Sequence, residues 1–232
     1  MPKLRPPKVI NYFNKLIKYI VLYVFFSLSL YAIAGSYEDF FQATQKNDVQ
    51  VVSNLLNRGF DPNTVNLEGE SALFLAWKFD SLNVLEVLIK HPKTNLNIQN
   101  SHSETILMLV CLKGHLKLTQ LLVERKADIN QPGWTPLHYA ATGGHAQIAK
   151  LLIDESAYID AESPNGSTPL MMAARYGSTE LVKLLIDEGA DIRIKNQLGL
   201  SALDFAKDGG RPDAMRLIES ALEKNKPSTN HQ

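Results

Sequence analysis

Cysteine is nearly absent from this 232-residue sequence, which contains only Cys111. One cysteine cannot form an intramolecular disulfide, so packing and hydrogen bonds must hold the fold together. The paired CxxC motifs of structural zinc sites are therefore missing, and the six histidines form no HExxH motif. We expect neither a metal nor a cofactor in this protein.

The motifs of common catalytic sites are also missing. The sequence has no GxSxG motif, no glycine-rich loop that ends in Lys-Ser or Lys-Thr, and no GxGxxG. Acidic pairs occur at Asp154–Glu155 and at Asp187–Glu188, but they recur at equivalent positions of a repeated pattern, which is typical of a solvated helix face. We expect no catalytic residue and no small-molecule substrate.

Acidic residues are absent from positions 1–34, which carry the basic residues Lys3, Arg5, Lys8, Lys15 and Lys18. The rest of the chain has more acidic than basic residues and is mildly acidic. Binding to nucleic acid begins from a basic face that displaces counterions from phosphate groups. We therefore expect no nucleic-acid partner.

The basic stretch is followed by an apolar run, Tyr19–Ala34, which ends in the small-residue pattern Ala32-Ile33-Ala34. This order is typical of a secretory signal peptide, so we expect residues 1–34 to be removed by cleavage between Ala34 and Gly35. As a helix the run measures about 24 Å, which is shorter than a bilayer core of about 30 Å. The alternative is an uncleaved anchor with its N-terminus inside. The first case predicts a periplasmic or secreted protein, and the second an inner-membrane anchored one whose body lies outside the cytoplasm.

A repeated pattern occupies the rest of the chain. Thr135, Thr168 and Ser201 follow one another at equal intervals, and each begins a segment of the same kind. Thr105 and Ser71 play this part upstream, at similar intervals. A period of about 33 residues indicates stacked repeats.

Each repeat has the pattern of two short helices joined by a turn. The threonine or serine suits a helix N-cap, and a following proline suits the first helical turn. Leu137 and Ala140 give the first helix a narrow apolar face, Gly144 ends it, and Ile148 lies on the apolar face of the second helix. One helix pair cannot bury both of its apolar faces, so the repeats must stack.

These segments resemble the ankyrin repeat family. TPLH at Thr135–His138, TPL at Thr168–Leu170 and the segments KADIN, GADIR and GFDPN carry the resemblance in register. It implies an all-α ankyrin-repeat solenoid of helix-turn-helix units with short projecting β-turns or hairpins, here preceded by a signal-peptide helix. We expect an ankyrin repeat domain at 35–222 with about six repeats, degenerate capping repeats at 37–66 and 194–222, and a flexible tail at 223–232.

The resemblance further implies a non-catalytic, monomeric scaffold that binds a protein partner, not identified by the sequence, through its concave face. The alternative is a membrane-anchored accessory or immunity-like factor that uses the same surface to regulate a membrane or envelope protein. A third hypothesis, a toxin or enzyme that its repeats only target, finds no second domain in this sequence to hold an active site.

The family places its contacts on the projecting turns and on the two residues before the glycine that ends each first helix. Aromatic residues and arginine at such positions tend to dominate binding energies. Carried over to this chain, the partner-binding candidates are Trp134, Phe79, Lys78, Leu112, Lys113, Arg175, Tyr176, Asn165, Gln197, Leu198 and Leu200.

Trp134 lies beside a shortened turn. Asn130 and Thr135 are closer together in the sequence than Asp160 and Thr168, the equivalent pair in the next repeat, because the turn between them is shorter. The indole either anchors a partner at the resulting notch or fills the space that the turn has left.

Other large or unusual residues are assigned to packing. Cys111 and Trp77 occupy the second alanine position of the repeat, where we expect burial. We also expect one apolar row to point into the layer between helices, namely Leu75, Leu109, Tyr139, Met172 and Phe205.

Overall fold

The computed structural model describes residues 8–224, and their side chains except those of residues 8–14 and 24–34. This part of the chain forms twelve α-helices, joined by turns, and three isolated β-bridges. In chain order the helices are α1 (Lys8–Gln45), α2 (Val49–Asn57), α3 (Ala72–Lys78), α4 (Leu82–Lys90), α5 (Ile106–Lys113), α6 (Leu116–Glu124), α7 (Pro136–Gly143), α8 (Ala146–Asp154), α9 (Pro169–Tyr176), α10 (Thr179–Asp187), α11 (Ala202–Asp208) and α12 (Pro212–Lys224).

The chain folds into two compact units that divide after Val87. Unit one contains α1 to α3 and most of α4, and in it α1 packs against α2 and α3. Unit two contains the end of α4 and the four helix pairs from α5 to α12.

The first helices of the pairs in unit two form one layer, in which α5 packs on α7, α7 on α9, and α9 on α11. The second helices form another layer, in which α6 packs on α8, α8 on α10, and α10 on α12. Leu107, Leu137 and Leu170 from successive first helices are at most 1% exposed. The prediction of an all-α fold built from stacked helix-turn-helix pairs is confirmed.

The predicted helix starts are found at the predicted residues. Thr168 and Ser201 cap α9 and α11, and their side chains accept hydrogen bonds from the backbone N–H groups of Met171 and Asp204. Gly144 ends α7 with φ of 74°, a left-handed conformation that glycine adopts without steric cost.

The predicted β-turns also form. Antiparallel bridges join Val65 to Ser71, Gln99 to Thr105, and Lys195 to Ser201, so a short hairpin precedes α3, α5 and α11. Before α7 the chain makes only a bend over residues 132–134, as the shortened turn predicts.

The N-terminal helix is longer than the sequence indicates. The predicted signal segment and the first helix of the first repeat form one continuous helix, α1, and the predicted cleavage site between Ala34 and Gly35 lies inside it. The signal-peptide role stays a prediction, as do the limits of the domain and of its capping repeats. Residues 225–232 of the predicted tail, together with Lys3 and Arg5, lie outside the described residues.

Close approach of neighbouring backbones sets the spacing of successive first helices within their layer. A Cβ atom at Gly177, which follows α9, would lie 2.6 Å from the carbonyl oxygen of Ala141 and 2.8 Å from the Cα of Ala173. Both are backbone atoms, which cannot turn aside as a side chain can. Gly177 therefore lets α9 pack directly on α7.

We predict that Gly177→Ala destabilises the fold by about 1–3 kcal/mol, because the added methyl group overpacks this contact. Thermal unfolding of the full chain should show a melting temperature lower by several degrees. The control is Gly35→Ala in α1, where nothing lies within 4 Å of the added atom and stability should not fall. An unchanged melting temperature for Gly177→Ala would contradict the packing argument.

Candidate protein-binding surface

The last two projecting turns of unit two, residues 163–167 and 196–200, are hydrogen-bonded to each other. The backbone N–H of Gln197 donates to the carbonyl oxygen of Asn165 at 3.0 Å, and its side-chain amide donates to the carbonyl oxygen of Pro164 at 3.0 Å. The predicted candidates Asn165 and Gln197 are thus brought into direct contact. Their turns are fixed in register.

Two exposed leucines lie on the second of these turns. Leu198 is 77% exposed and Leu200 is 40% exposed. The backbone N–H groups of both donate to Oδ1 of the buried Asn196 at 3.0 Å. The turn therefore presents apolar side chains on a backbone that is held from within.

Arg175 and Tyr176 form a second fixed cluster at the end of α9. The guanidinium group of Arg175 lies 5.1 Å from the centre of the Tyr176 ring and pairs with the Asp208 carboxylate at 2.6 Å. Tyr176 nevertheless remains 50% exposed. Cation–π contacts and ion pairs of this kind each contribute little to stability at a surface, but they limit the rotamers of the side chains involved.

Leu112 and Lys113, at the end of α5, are half-buried and exposed respectively. The backbone carbonyl of Leu112 accepts a hydrogen bond at 3.0 Å from Nε2 of His145, which precedes α8. This bond between adjacent repeats fixes the end of α5. Like the clusters on α9 and the last turn, it positions candidate side chains without covering them.

Trp134 is half-buried. The edge of its ring meets the ring of His138, with the two ring centres 5.2 Å apart, and its carbonyl oxygen accepts a hydrogen bond from the side chain of Gln131 at 3.2 Å. The indole thus packs on one side against the repeat and is open to solvent on another. In this geometry the indole can both fill the space left by the shortened turn and anchor a partner.

His138 is completely buried beneath Trp134. Its Nδ1 accepts hydrogen bonds from the backbone N–H and the hydroxyl of Thr135, at 3.2 and 2.9 Å, and its Nε2–H donates to the carbonyl oxygen of Ser167 at 2.9 Å. The ring must therefore be neutral and protonated on Nε2. Burial lowers the pKa of His138 from 6.5 to about 4, although the bond to Ser167 acts in the opposite direction.

Other repeats fill the His138 position with different acceptors. Met108 and Met171 accept a hydrogen bond through sulfur from the backbone N–H of Thr105 and Thr168, at 3.3 and 3.4 Å. In α11, a carboxylate oxygen of Asp204 accepts from the backbone of Ser201 at 2.9 Å. In α5, α7, α9 and α11 this position thus supplies an acceptor for the N-cap residue through three chemistries, whereas in α3 it holds Phe74, which has no acceptor.

One contact at the surface was missed by sequence reasoning. The hydroxyl of Tyr139 on α7 donates to Glu104 on the turn before α5, at 2.9 Å. Burial, followed by the bond to this carboxylate, raises the pKa of Tyr139. The two residues lie far apart in the sequence, and no short motif joins them.

The expectation for the apolar row is corrected by the structure. Leu75 in unit one is buried, but the four members in unit two, Leu109, Tyr139, Met172 and Phe205, are only half-buried. Residues three and four apart share a helix face, so Leu109 lies on the same face as Leu112 and Lys113, and Met172 on the same face as Arg175 and Tyr176. The spacing of three and four residues in the sequence could have placed this row at the candidate surface.

The candidates Lys78 and Phe79 belong to unit one, and both are exposed. Lys78 pairs with Glu70 at 2.9 Å, and this hydrogen bond lowers the pKa of Glu70. Cys111 and Trp77, predicted to pack, are buried and half-buried respectively.

No group of three or more histidine, cysteine, aspartate or glutamate residues in the described part of the chain is arranged to hold a metal ion. Within the same residues, no helix has both the length and the apolar character needed to cross a membrane.

Comparison with known proteins assigns the family. The model of the family described as "Ankyrin repeats (3 copies)" matches residues 40–132, 91–163, 131–196 and 157–228. The chain belongs to the ankyrin repeat family. Ankyrin repeats in general mediate protein–protein interactions, and their fold is in general a non-catalytic scaffold.

The ankyrin fold is also found in a solved structure. An ankyrin repeat domain from Acinetobacter baumannii AYE aligns with a TM-score of 0.69 and 22% identity, over 79% of this chain and 97% of that one. The predicted ankyrin-repeat architecture is thereby confirmed.

Curated relatives match this ankyrin protein over part of their length. Ankyrin repeat and SAM domain-containing protein 6 of Mus musculus is 33% identical over 109 residues, which are 45% of this chain and 12% of the relative. Transient receptor potential cation channel subfamily A member 1 of Homo sapiens is 26% identical over 114 residues, 48% of this chain and 10% of the relative. Protein phosphatase 1 regulatory subunit 27 of Mus musculus is 37% identical over 81 residues, 34% of this chain and 53% of the relative. The chain thus spans less than two thirds of each.

We predict that His138 makes the stability of this ankyrin protein depend on pH. Because the pKa of His138 is about 4 in the folded chain and about 6.5 in the unfolded chain, the unfolded state binds more protons between these values. The free energy of unfolding should therefore fall as the pH falls from 6.5 to 4, by on the order of 3 kcal/mol from this residue.

His138→Met provides the test, since methionine serves at this position in two other repeats. The variant should lose about 1 kcal/mol at pH 7, because the bond to Ser167 is lost, but its denaturant midpoint should respond less to pH than that of the parent. Urea titrations of both proteins between pH 4 and 7 measure the difference. Parallel pH curves would show that His138 is not the titrating group.

Proposed function

We propose that the protein is an exported, monomeric, non-catalytic scaffold that binds a partner protein through the concave side of its repeats. The contact surface in unit two, here called the inner surface, comprises Leu112, Lys113, Trp134, Asn165, Arg175, Tyr176, Gln197, Leu198 and Leu200. In unit one, Lys78 and Phe79 are the corresponding candidates. The partner works with it in the periplasm or outside the cell.

One observation carries this proposal: large side chains of the inner surface are exposed while their backbones or charged groups are already held. The backbone N–H groups of Leu198 and Leu200 are bonded to buried Asn196. Tyr176 lies against Arg175, which pairs with Asp208. Binding to such side chains orders little that is not already ordered, so more of the contact energy appears as affinity. The geometry suits recognition of a folded surface.

Export is supported by the sequence pattern at positions 1–34. Basic residues, an apolar run and the small residues Ala32 and Ala34 occur in the order that a signal peptide requires. Cleavage after Ala34 would release a domain that begins at Gly35. The inner surface lies wholly beyond this point.

A membrane-anchored accessory or immunity-like factor is the second candidate, and the described part of α1 favours it. Leu16, Ile17, Ile20, Leu22 and Tyr23 are exposed on different sides of this helix. Apolar side chains on every side of a helix favour an apolar environment over water. If α1 is not cleaved, these side chains would lie in lipid, and α1 would hold unit one near a membrane or envelope protein.

The mass of the native protein separates these two forms. We expect the protein isolated from its source cells to begin at Gly35, because the small residues at Ala32 and Ala34 favour cleavage there. Intact-mass spectrometry and N-terminal peptide sequencing measure this end. A full-length chain retained in the membrane fraction would establish the anchored form instead.

We predict that Tyr176→Ala and Trp134→Ala each weaken partner binding by about 5–30-fold, as truncation of an aromatic anchor does when it costs about 1–2 kcal/mol. Partners are first cross-linked to the native chain in envelope extract and identified by mass spectrometry. The affinity of the purified partner for each variant is then measured by titration calorimetry.

Two controls accompany these variants. Tyr158 is an exposed tyrosine that follows the second helix α8, outside the inner surface, and Tyr158→Ala should bind normally. Trp134→Phe keeps an aromatic edge against His138, so it separates loss of contact from loss of packing. If Tyr158→Ala weakens binding as much as Tyr176→Ala, the inner surface is not the contact.

A further inference from the structure

One projecting turn is missing from the row of turns in unit two. Before α5, α9 and α11 the projecting turn is closed by a backbone hydrogen bond from the N–H of its first residue to the carbonyl oxygen of its fifth. These bonds run from Asn100 to Glu104, from Ser163 to Ser167 and from Asn196 to Leu200, at 2.9, 3.0 and 3.0 Å. Before α7 the chain makes only the bend at residues 132–134. The α7 repeat therefore leaves a space in the row.

The turns at residues 100–104 and 163–167 border this space. Since α7 packs between α5 and α9, the two turns are two helix intervals apart, and one interval is about 8–10 Å. The turns at 163–167 and 196–200 are only one interval apart, and they are in direct hydrogen-bond contact. The space thus has room for one further turn.

Both bordering turns are held to α7, which fixes the width of the space. Glu104 accepts a hydrogen bond from the hydroxyl of Tyr139 at 2.9 Å, and the carbonyl oxygen of Ser167 accepts one from Nε2 of His138 at 2.9 Å. The two α7 residues are neighbours in the sequence. The walls of the space are therefore positioned by one helix.

Trp134 lies at the floor of the space, in the bend itself. Its ring packs against His138 and remains half-exposed. The side-chain amide of Gln131 donates to the Trp134 carbonyl oxygen at 3.2 Å and to the sulfur of Met108 on α5 at 3.4 Å. The bend is thus tied to the neighbouring repeat, and the indole is held at the floor.

The two walls differ in their backbone groups. Where complete turns are neighbours, the N–H of Gln197 donates to the carbonyl oxygen of Asn165. The equivalent carbonyl on the first wall belongs to His102, and none of the described residues donates a hydrogen bond to it. On the second wall the residue equivalent to Gln197 is Pro164, which has no N–H to donate. The space therefore offers an acceptor on one side and requires none from its occupant on the other.

The charges around the space have one sign. Residues 99–105, 130–135 and 160–168 include Glu104, Asp160 and Glu162 but no lysine or arginine. An aromatic ring attracts a cation, and a guanidinium group both stacks on aromatic rings and bonds carboxylates through two N–H groups. Trp134 beside Glu104 therefore favours an arginine side chain.

We propose that this space is a docking slot for a reverse turn of the partner protein, which donates a backbone N–H to the His102 carbonyl oxygen and places an arginine between Trp134 and Glu104. The inference rests on the binding function proposed above, and it names the part of the partner that the inner surface recognises. The partner's turn completes the row as the missing turn would have done. Because both the slot and a closed turn are already ordered, their association costs little conformational freedom.

A cyclic peptide tests the slot directly. The probe is a backbone-cyclised hexapeptide with an Asn-Gly turn and one arginine. Its matched control carries citrulline, which has a similar shape and no charge. Trp77→Phe leaves Trp134 as the single tryptophan, so that tryptophan fluorescence reports on the slot. The arginine peptide should bind about ten-fold more tightly than the citrulline peptide, and salt should reduce the difference. Equal affinities, or no saturable binding at millimolar peptide, would overturn the proposal.

Glu104→Gln tests the carboxylate separately. Glutamine still accepts the hydrogen bond from Tyr139, but it has no charge, so the arginine peptide should bind about five-fold more weakly while the citrulline peptide binds as before. Glu219→Gln on α12 removes an exposed carboxylate outside the slot and should change neither affinity. If both substitutions weaken the arginine peptide equally, the attraction is general and the slot does not recognise arginine.

Restoring the missing turn should close the slot. In this variant residues 131–134 are replaced by a copy of residues 161–167, AESPNGS, which gives α7 the turn length of the next repeat. Circular dichroism should remain that of the parent, and the affinity for the purified partner should fall about ten-fold or more. A partner that Tyr176→Ala weakens but this variant does not would overturn the slot alone. A partner that Tyr176→Ala leaves unaffected would instead contradict the inner surface, while the peptide titrations still decide the slot.

Discussion

The close stacking of first helices in unit two is the constraint on which the rest of that unit depends. Successive first helices approach until the backbone of one touches the next, as Gly177 does against Ala141. Such contact is possible because alanines fill the shared face, and Ala140, Ala141, Ala173 and Ala174 are at most 1% exposed. Only a stack can bury this face, since a lone helix pair would leave it in water.

Stacking at a fixed distance brings the projecting turns close enough for hydrogen bonds. Gln197 donates hydrogen bonds to Asn165 and Pro164 in the preceding turn, and His138 donates one to Ser167 in the next repeat. These bonds join backbone groups that would otherwise need water. They fix the backbone of the turns from which the exposed side chains of the inner surface project.

The layout of such a surface also follows from the stack. Buried residues of each first helix face neighbouring repeats, which leaves one stripe of the helix open. Met172, Arg175 and Tyr176 occupy that stripe on α9, at spacings of three and four positions. Large side chains are tolerated on this stripe because it is open, whereas α7 and α9 approach closely through the small Ala140, Ala141, Ala173 and Ala174.

Much of this could be read from the sequence because it depends on local chemistry. The Thr135 and Thr168 helix starts, the left-handed Gly144 and the shortened turn before α7 each involve close neighbours in the chain. The bond between Tyr139 and Glu104 could not be read, because it depends on how far α7 lies from a turn in the preceding repeat. The same holds for Arg125, which donates to the carbonyl oxygens of Lys90, His91 and Pro92 at the end of α4 and directly after it.

The N-terminal helix shows why a sequence boundary and a structural boundary need not coincide. Composition changes sharply at Gly35, from an apolar run to the charged residues Glu38 and Asp39. Helix continuity, however, depends only on whether any residue breaks the backbone pattern, and a single exposed glycine costs about 1 kcal/mol relative to alanine. That cost is too small to end a long helix with packed residues at its C-terminal end. The change of composition at Gly35 therefore does not coincide with a break in the helix.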